Sequence, residues 1–161
     1  MQRSSGTLGG MALPAEPWID NDACSVARTL DLMGDRWSIL VLREAFWGTR
    51  RFEVFQRHLS IARNILTDRL NKLVDGGILE RRQYNDRPPR FEYRLTEAGK
   101  ELWPILITLM QWGDRHLPEA DADLPTITHT ACGHAEGFTL SCNHCGEQVG
   151  PRDVTARLGG A

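Results

Sequence analysis

The sequence predicts a mainly helical domain closed by one small β-hairpin, with a Cys/His-rich knuckle behind it. Three observations carry that prediction. Apolar residues recur at helical spacing through most of residues 24–117. Two stretches, "ILERRQYN" (78–85) and "RFEYRLT" (90–96), alternate apolar or aromatic residues with charged ones, as half-buried strands do, and "DRPP" lies between them. Finally, "HTACG" and "CNHCG" repeat one pattern, a metal-ligating residue, two others, Cys and Gly, near the C-terminus.

At 161 residues with 41% hydrophobic side chains, the chain can build one core and carry an appendage. No run of about 18 apolar residues is present to span a membrane, and "MQRSSGTLGGMALPAEP" lacks the apolar stretch of a signal peptide. A cytoplasmic protein without a membrane partner is expected. Residues 1–20 hold Gly, Ser and Pro without periodicity, which predicts a flexible tail.

The first helix is expected over Cys24–Met33, with Gly34 as its stop, and the second over 35–47 with Asp35 as N-cap. Trp37, Ile39, Leu40, Leu42 and Phe46 of the second helix read mostly as core. A third helix spans "FEVFQRHL" (52–59). A fourth starts at about Ile61 with Ser60 as its cap and ends at Gly76 and Gly77, its inner face made of Ile61, Ile65, Leu66, Leu70 and Leu73. Two such helices joined by a short turn make a helix-turn-helix. The hairpin that follows would present Arg87 and Arg90 at its tip, and that order is the order of a winged helix.

Thr96 can cap a fifth helix over 97–117, which Pro104 should kink near Lys100. Its apolar residues cover more circumference than one core needs, so Leu102, Leu106, Leu109, Met110 and Trp112 are expected to meet a partner subunit. A small-molecule pocket lined by Trp103, Met110 or Trp112 is the weaker reading, since such residues at helical spacing are usually core. An acidic linker (118–128) leads to the Cys/His-rich tail (129–161).

The net charge of −2 hides a segregation. Residues 48–94 hold 11 Lys or Arg against 6 Asp or Glu, net +5, while the flanking segments are net −2 and −5. A basic segment inside an acidic chain points to a local polyanion site, with a solvated Arg-rich face as the plainer alternative. On the fourth helix Asn64, Thr67, Asp68 and Asn71 lie opposite the leucines, with Arg63 at the edge. Asn can pair with adenine, Arg with guanine, and Thr can offer its methyl group to thymine. Ser60 and the helix N-terminus could hold a phosphate, and Arg50, Arg51, Arg57, Lys72, Arg87 and Arg90 would supply sequence-independent attraction to double-stranded DNA. Arg69 falls near the apolar face and reads as an ion-pair partner instead. Asp68 would repel phosphate and reads foremost as the i, i+4 partner of Lys72. Arg81 and Arg82 point to opposite faces of a strand, so at most one should face DNA.

From Cys24 to Leu117 the chain resembles the HxlR-type winged helix-turn-helix transcriptional regulators, in "CSVARTLDLMGDRWSILVLREAFWGTRRF", "IARNILTDRLNKLVDGGILERRQY", "RPPRFEYRLTEAGKEL" and "QWGDRHL". The resemblance implies a homodimer over residues 21–117, two winged helices reading a roughly palindromic operator, and regulation of transcription, with repression expected and a small-molecule effector conceivable. It also places Cys24 where several family members carry a thiol that senses oxidants, although Ser25 stands where many relatives have Pro. A helix N-terminus favours an anion there, Asp20 and Asp22 oppose one, and a small buried hydrophobe is the plainer reading of Cys24.

His129, Cys132, Cys142 and Cys145 form a complete ligand set for structural zinc, with His134 and His144 as substitutes. A metal-free thiol cluster and a loop packed on the long helix remain alternatives, while a disulfide is disfavoured in a reducing compartment. An enzyme is the poorest reading: most of the histidines sit beside cysteines spaced for metal, and no nucleotide-binding Gly loop or HExxH pattern occurs. The stronger rival to DNA binding is a protein-interaction module that uses the tail, with the winged helix as scaffold.

Overall fold

The computed structural model describes residues 22–117, 127–135 and 137–154. The N-terminal tail and most of the acidic linker named above therefore lie outside the described residues. Six helices and a hairpin follow in the order α1 (Ser25–Met33), α2 (Arg36–Phe46), α3 (Phe52–Leu59), α4 (Arg63–Asp75), β1 (Leu79–Asp86), β2 (Pro89–Leu95), α5 (Glu97–Lys100) and α6 (Trp103–His116). The chain forms two compact units, Met1–Lys100 and Glu101–Ala161.

In the first unit the helix starts follow local chemistry. The Asp35 carboxylate accepts from the N–H groups of Trp37 and Ser38 (3.1 and 3.0 Å) and from the Ser38 hydroxyl (2.6 Å), which fixes the start of α2. At the start of α5 the Thr96 hydroxyl accepts from Gly99 N–H (3.0 Å) and donates to Gly77 O (2.6 Å), tying that helix to the turn after α4. The core gathers Met33, Val41, Leu42, Phe55, Leu59, Leu66, Leu70, Leu73 and Leu79. Of the α4 residues expected inside, only Ile65 stays half-exposed.

Several expectations are corrected. Ser60 does not cap α4; at φ 48° it is the left-handed C-cap of α3, and α4 begins after Ala62 with no side-chain cap. The reason is Ile61, whose 4% exposure shows that the turn between the helices is pinned by burying its middle residue. In α2 only Leu42 of the five expected core residues is fully buried; Trp37, Ile39, Leu40 and Phe46 are half-buried, and Ser38 and Glu44 take inward positions. The predicted long fifth helix is two helices. Pro104 stands in the first turn of α6, where its missing N–H costs no helical bond, so the chain breaks and restarts instead of kinking.

Glu44 has a role that its charge alone would not suggest. Its carboxylate lies 2.8 Å from His58 Nδ1 on α3, 2.8 Å from Arg43 Nη2, and 3.3 Å from the Thr49 hydroxyl in the α2–α3 connection. Burial raises its proton affinity, but the hydrogen bonds from His58 and Arg43 outweigh this and hold the carboxyl below its usual range. One buried anion thereby fastens α3 to α2.

The hairpin pairs antiparallel from Leu79 with Leu95 to Asp86 with Pro89, with an irregularity at Tyr84 between the Gln83–Phe91 and Asn85–Arg90 pairs. A further edge is non-local: Arg51 bridges Glu92, and Tyr93 N–H donates to Arg50 O (2.7 Å). The segment entering α3 is thus strapped to the wing.

Candidate nucleic-acid interface

Arg63, Asn64, Thr67, Asp68 and Asn71 are all exposed on α4, while Leu66, Leu70 and Leu73 are fully buried on the opposite side. The two faces follow from one 3.6-residue period. Lys72 is half-buried. The Thr67 hydroxyl donates to Arg63 O (2.9 Å), so its proton is engaged within the helix, leaving the methyl group and an acceptor for a ligand. Arg63 lies over the Phe52 ring (4.8 Å to the centroid), which holds its guanidinium at the N-terminal end of α4.

The arginines divide into two populations. Arg69 lies 3.0 Å from Asp35, as expected of a structural partner. Burial raises the Asp35 carboxyl's proton affinity, yet Ser38, then Arg69 and Lys72, bring it below the usual range. Arg43, Arg82 and Arg94 pair with Glu44, Glu80 and Glu92. None of Arg50, Arg51, Arg57, Arg63, Arg87, Arg90 or Lys72 forms an ion pair among the described residues. All seven are cations that the sequence expects at phosphate or base contact. The expected Asp68–Lys72 pair is not formed; Lys72 acts on Asp35 instead.

The wing tip is built to hold a shape. Asn85 Nδ2 donates to Pro88 O (3.0 Å) and Arg87 O (3.3 Å), and Gln83 Nε2 donates to Asp86 (3.0 Å), bracing the turn that exposes Arg87 and Arg90. Arg81 packs over Phe91 (3.6 Å) and Arg51 over Tyr84 (5.0 Å). Sequence reasoning overlooked Phe52, Tyr84, Gln83 and Asn85 as supports for the basic residues. Aromatic residues close to the arginines were the available signal, whereas the Arg50–Tyr93 strap leaves no local trace.

A helix-turn-helix with an exposed polar second helix is followed by a hairpin whose tip carries Arg87 and Arg90, and the HxlR-like helix-turn-helix family profile matches residues 32–121. The chain belongs to this family. An HTH-type transcriptional regulator of Mycobacterium tuberculosis is 46% identical over 135 residues, covering 84% of this chain and 85% of that protein. The HTH-type regulator YdeP of Bacillus subtilis is 33% identical, covering 63% and 80%. Among solved structures, the transcription factor PA1607 superposes with a TM-score of 0.74 at 33% identity, covering 84% of this chain and 94% of that one. The reduced form of the redox regulator HypR superposes at 0.56 with 35% identity, covering 59% and 95%. The family and these relatives are transcriptional regulators and not enzymes. Among the described residues no helix is long and apolar enough to cross a membrane.

Outside α4 and the wing, Cys24 is the half-buried N-cap residue of α1 and makes no side-chain capping bond. Of the residues expected to meet a partner subunit, Leu109 and Trp112 are exposed, Leu102 and Met110 are half-exposed, and Leu106 is buried, which removes it from that surface. Ile105 on α6 and Val26 and Leu30 on α1 are also exposed. Met110 lines a cleft of about 1170 Å³ with Phe138, Leu140 and Val149 of the C-terminal segment; Trp103 and Trp112 are not among its walls. His129 Nδ1 lies 3.2 Å from Cys132 Sγ, and Cys142 contacts Cys145, but no three of these side chains converge among the described residues.

Proposed function

We propose that this HxlR-family regulator is a sequence-specific repressor that binds a palindromic operator as a homodimer, with α4 in the major groove and the wing at neighbouring phosphates. The division of the arginines carries the reading. Every cation near the polar face of α4 or on the wing tip that has no acidic partner is free to replace counterions on DNA, while Arg69, which faces inward, is already neutralised. Asn64, Thr67 and Asn71 then supply base recognition, and the exposed Arg63 supplements them.

Exposed apolar side chains on α1 (Val26, Leu30) and α6 (Ile105, Leu109, Trp112) support dimerisation, since such residues on two helices favour burial against a second copy. Cys24, a free thiol at the N-cap of α1, is the candidate for oxidative control, a reading encouraged by the likeness to HypR. Fluorescence anisotropy with the gene's own upstream DNA and with a scrambled fragment, each titrated from low to physiological salt, tests the proposal. A preference of about 10³-fold for the former with a steep salt slope is expected. Equal, weak binding to both would favour the interaction-module alternative.

A further inference from the structure

The segments 129–134 and 142–147 fold alike. In the first, His129 N–H donates to His134 O and Gly133 N–H donates to His129 O; in the second, Cys142 N–H donates to Glu147 O and Gly146 N–H donates to Cys142 O, all at 2.8 Å. Gly133 and Gly146 occupy matching positions at φ 71° and 76°, a backbone conformation that a side chain would oppose. Each is therefore a tight turn that sets the side chains at its first and fourth residues, His129 with Cys132 and Cys142 with Cys145, on one side.

Side-chain geometry agrees with the backbone. His129 Nδ1 and Cys132 Sγ are 3.2 Å apart. Two such ligands on a tetrahedral zinc ion, with bonds of about 2.0 and 2.3 Å, would stand about 3.5 Å apart, so the first turn needs to open by only a few tenths of an ångström. In the second turn Cys142 contacts Cys145, the pair equivalent to His129 and Cys132.

No buried core holds this segment among its described residues. Among the described residues from 127 to 154 none is buried, and only Ser141–Gln148 forms a bridge. A short segment without a core needs a covalent or metal staple. The cysteines are free, and no two are bonded to each other.

We propose that residues 129–146 bind one zinc ion per chain through His129 Nδ1 and the sulfurs of Cys132, Cys142 and Cys145. The two turns are preformed half-sites, and one ion would join them. Binding releases the three thiol protons and leaves a His/Cys₃ centre of net charge −1, closed to substrate and structural in kind. It is independent of the DNA-binding reading.

The test is metal analysis of the full chain purified under reductant, with cobalt substitution as the spectroscopic probe. One zinc per chain is expected, and the cobalt form should show the intense visible bands of a tetrahedral thiolate site. Cys132→Ser and Cys142→Ser should each bring zinc to background and abolish the cobalt spectrum, whereas Cys24→Ser should retain both. Unfolding of the winged-helix unit, followed by its own cooperative transition, should be unchanged in all three variants, which separates metal loss from a failure to fold. Half an equivalent of zinc, no zinc, or zinc that persists in the Cys132→Ser/Cys142→Ser double variant would overturn the proposal.

Discussion

Residues 22–100 and residues 127–154 hold their backbones by opposite means. The first region buries Met33, Leu42, Phe55, Leu66, Leu70, Leu73 and Leu79 and sets its helices by caps and a buried carboxylate. The second buries none of its described side chains and is held by two hydrogen-bonded turns and the short Ser141–Gln148 pairing. The difference teaches where function can be placed. A helix such as α4, anchored by three fully buried leucines, can leave its other face wholly polar, because stability does not depend on that face.

The contrast can be broken most forcefully in the core. Phe55→Ala should destabilise the winged-helix unit by about 3–5 kcal/mol in urea unfolding while leaving zinc content unchanged; a loss below about 1 kcal/mol would show that α3 is not held by burial. A smaller effect is expected at the buried carboxylate, where Glu44→Gln should cost about 2 kcal/mol by weakening its charge-assisted hydrogen bonds.

The pH dependence follows from the same group and from Asp35, whose carboxyls are both held below their usual range. A depressed folded-state value stabilises the fold above the unfolded value, and that contribution is lost as pH falls. Stability should therefore be flat above about pH 5 and decline below about pH 4, with a shallower decline in Glu44→Gln. Thermal unfolding across that range checks the sign.

Lesser changes should touch DNA and not the fold. Arg87→Ala is expected to weaken binding to every DNA and to lower the salt slope by about one, with unfolding unaltered. Arg82→Ala, which removes an exposed cation already paired with Glu80, should change stability by no more than about 0.5 kcal/mol and leave the salt slope as it was. If Arg82→Ala and Arg87→Ala behave alike, the division into paired and unpaired arginines carries no functional meaning.

What the sequence shows clearly is what short-range chemistry decides. The Asp35 cap, the Thr96 cap, the two alternating strands and the polar face of α4 all depend on neighbours within a few positions, and each stands where the pattern places it. Ser60 misleads because a serine before an apolar period suits an N-cap, whereas the burial of Ile61 delays the helix until Arg63. Glu44 is illegible for a related reason: its partners come from the preceding residue, the α2–α3 connection and α3, and only folding assembles them. The Arg50–Tyr93 strap joins residues far apart in the chain. The repeat around Cys132 and Cys145 was visible as spacing, but its equivalent backbone hydrogen bonds were not.

In the proposed mode of binding the exposed face of α4 reads bases while the unpaired cations supply attraction to any DNA. That mode is tested most directly by comparing wild type with the Asn64→Ala/Asn71→Ala variant in anisotropy titrations on the gene's own upstream DNA and a scrambled fragment at one salt concentration. The variant is expected to lose its preference for the upstream DNA while its affinity for the scrambled fragment stays unchanged. An undiminished preference in the variant would contradict it.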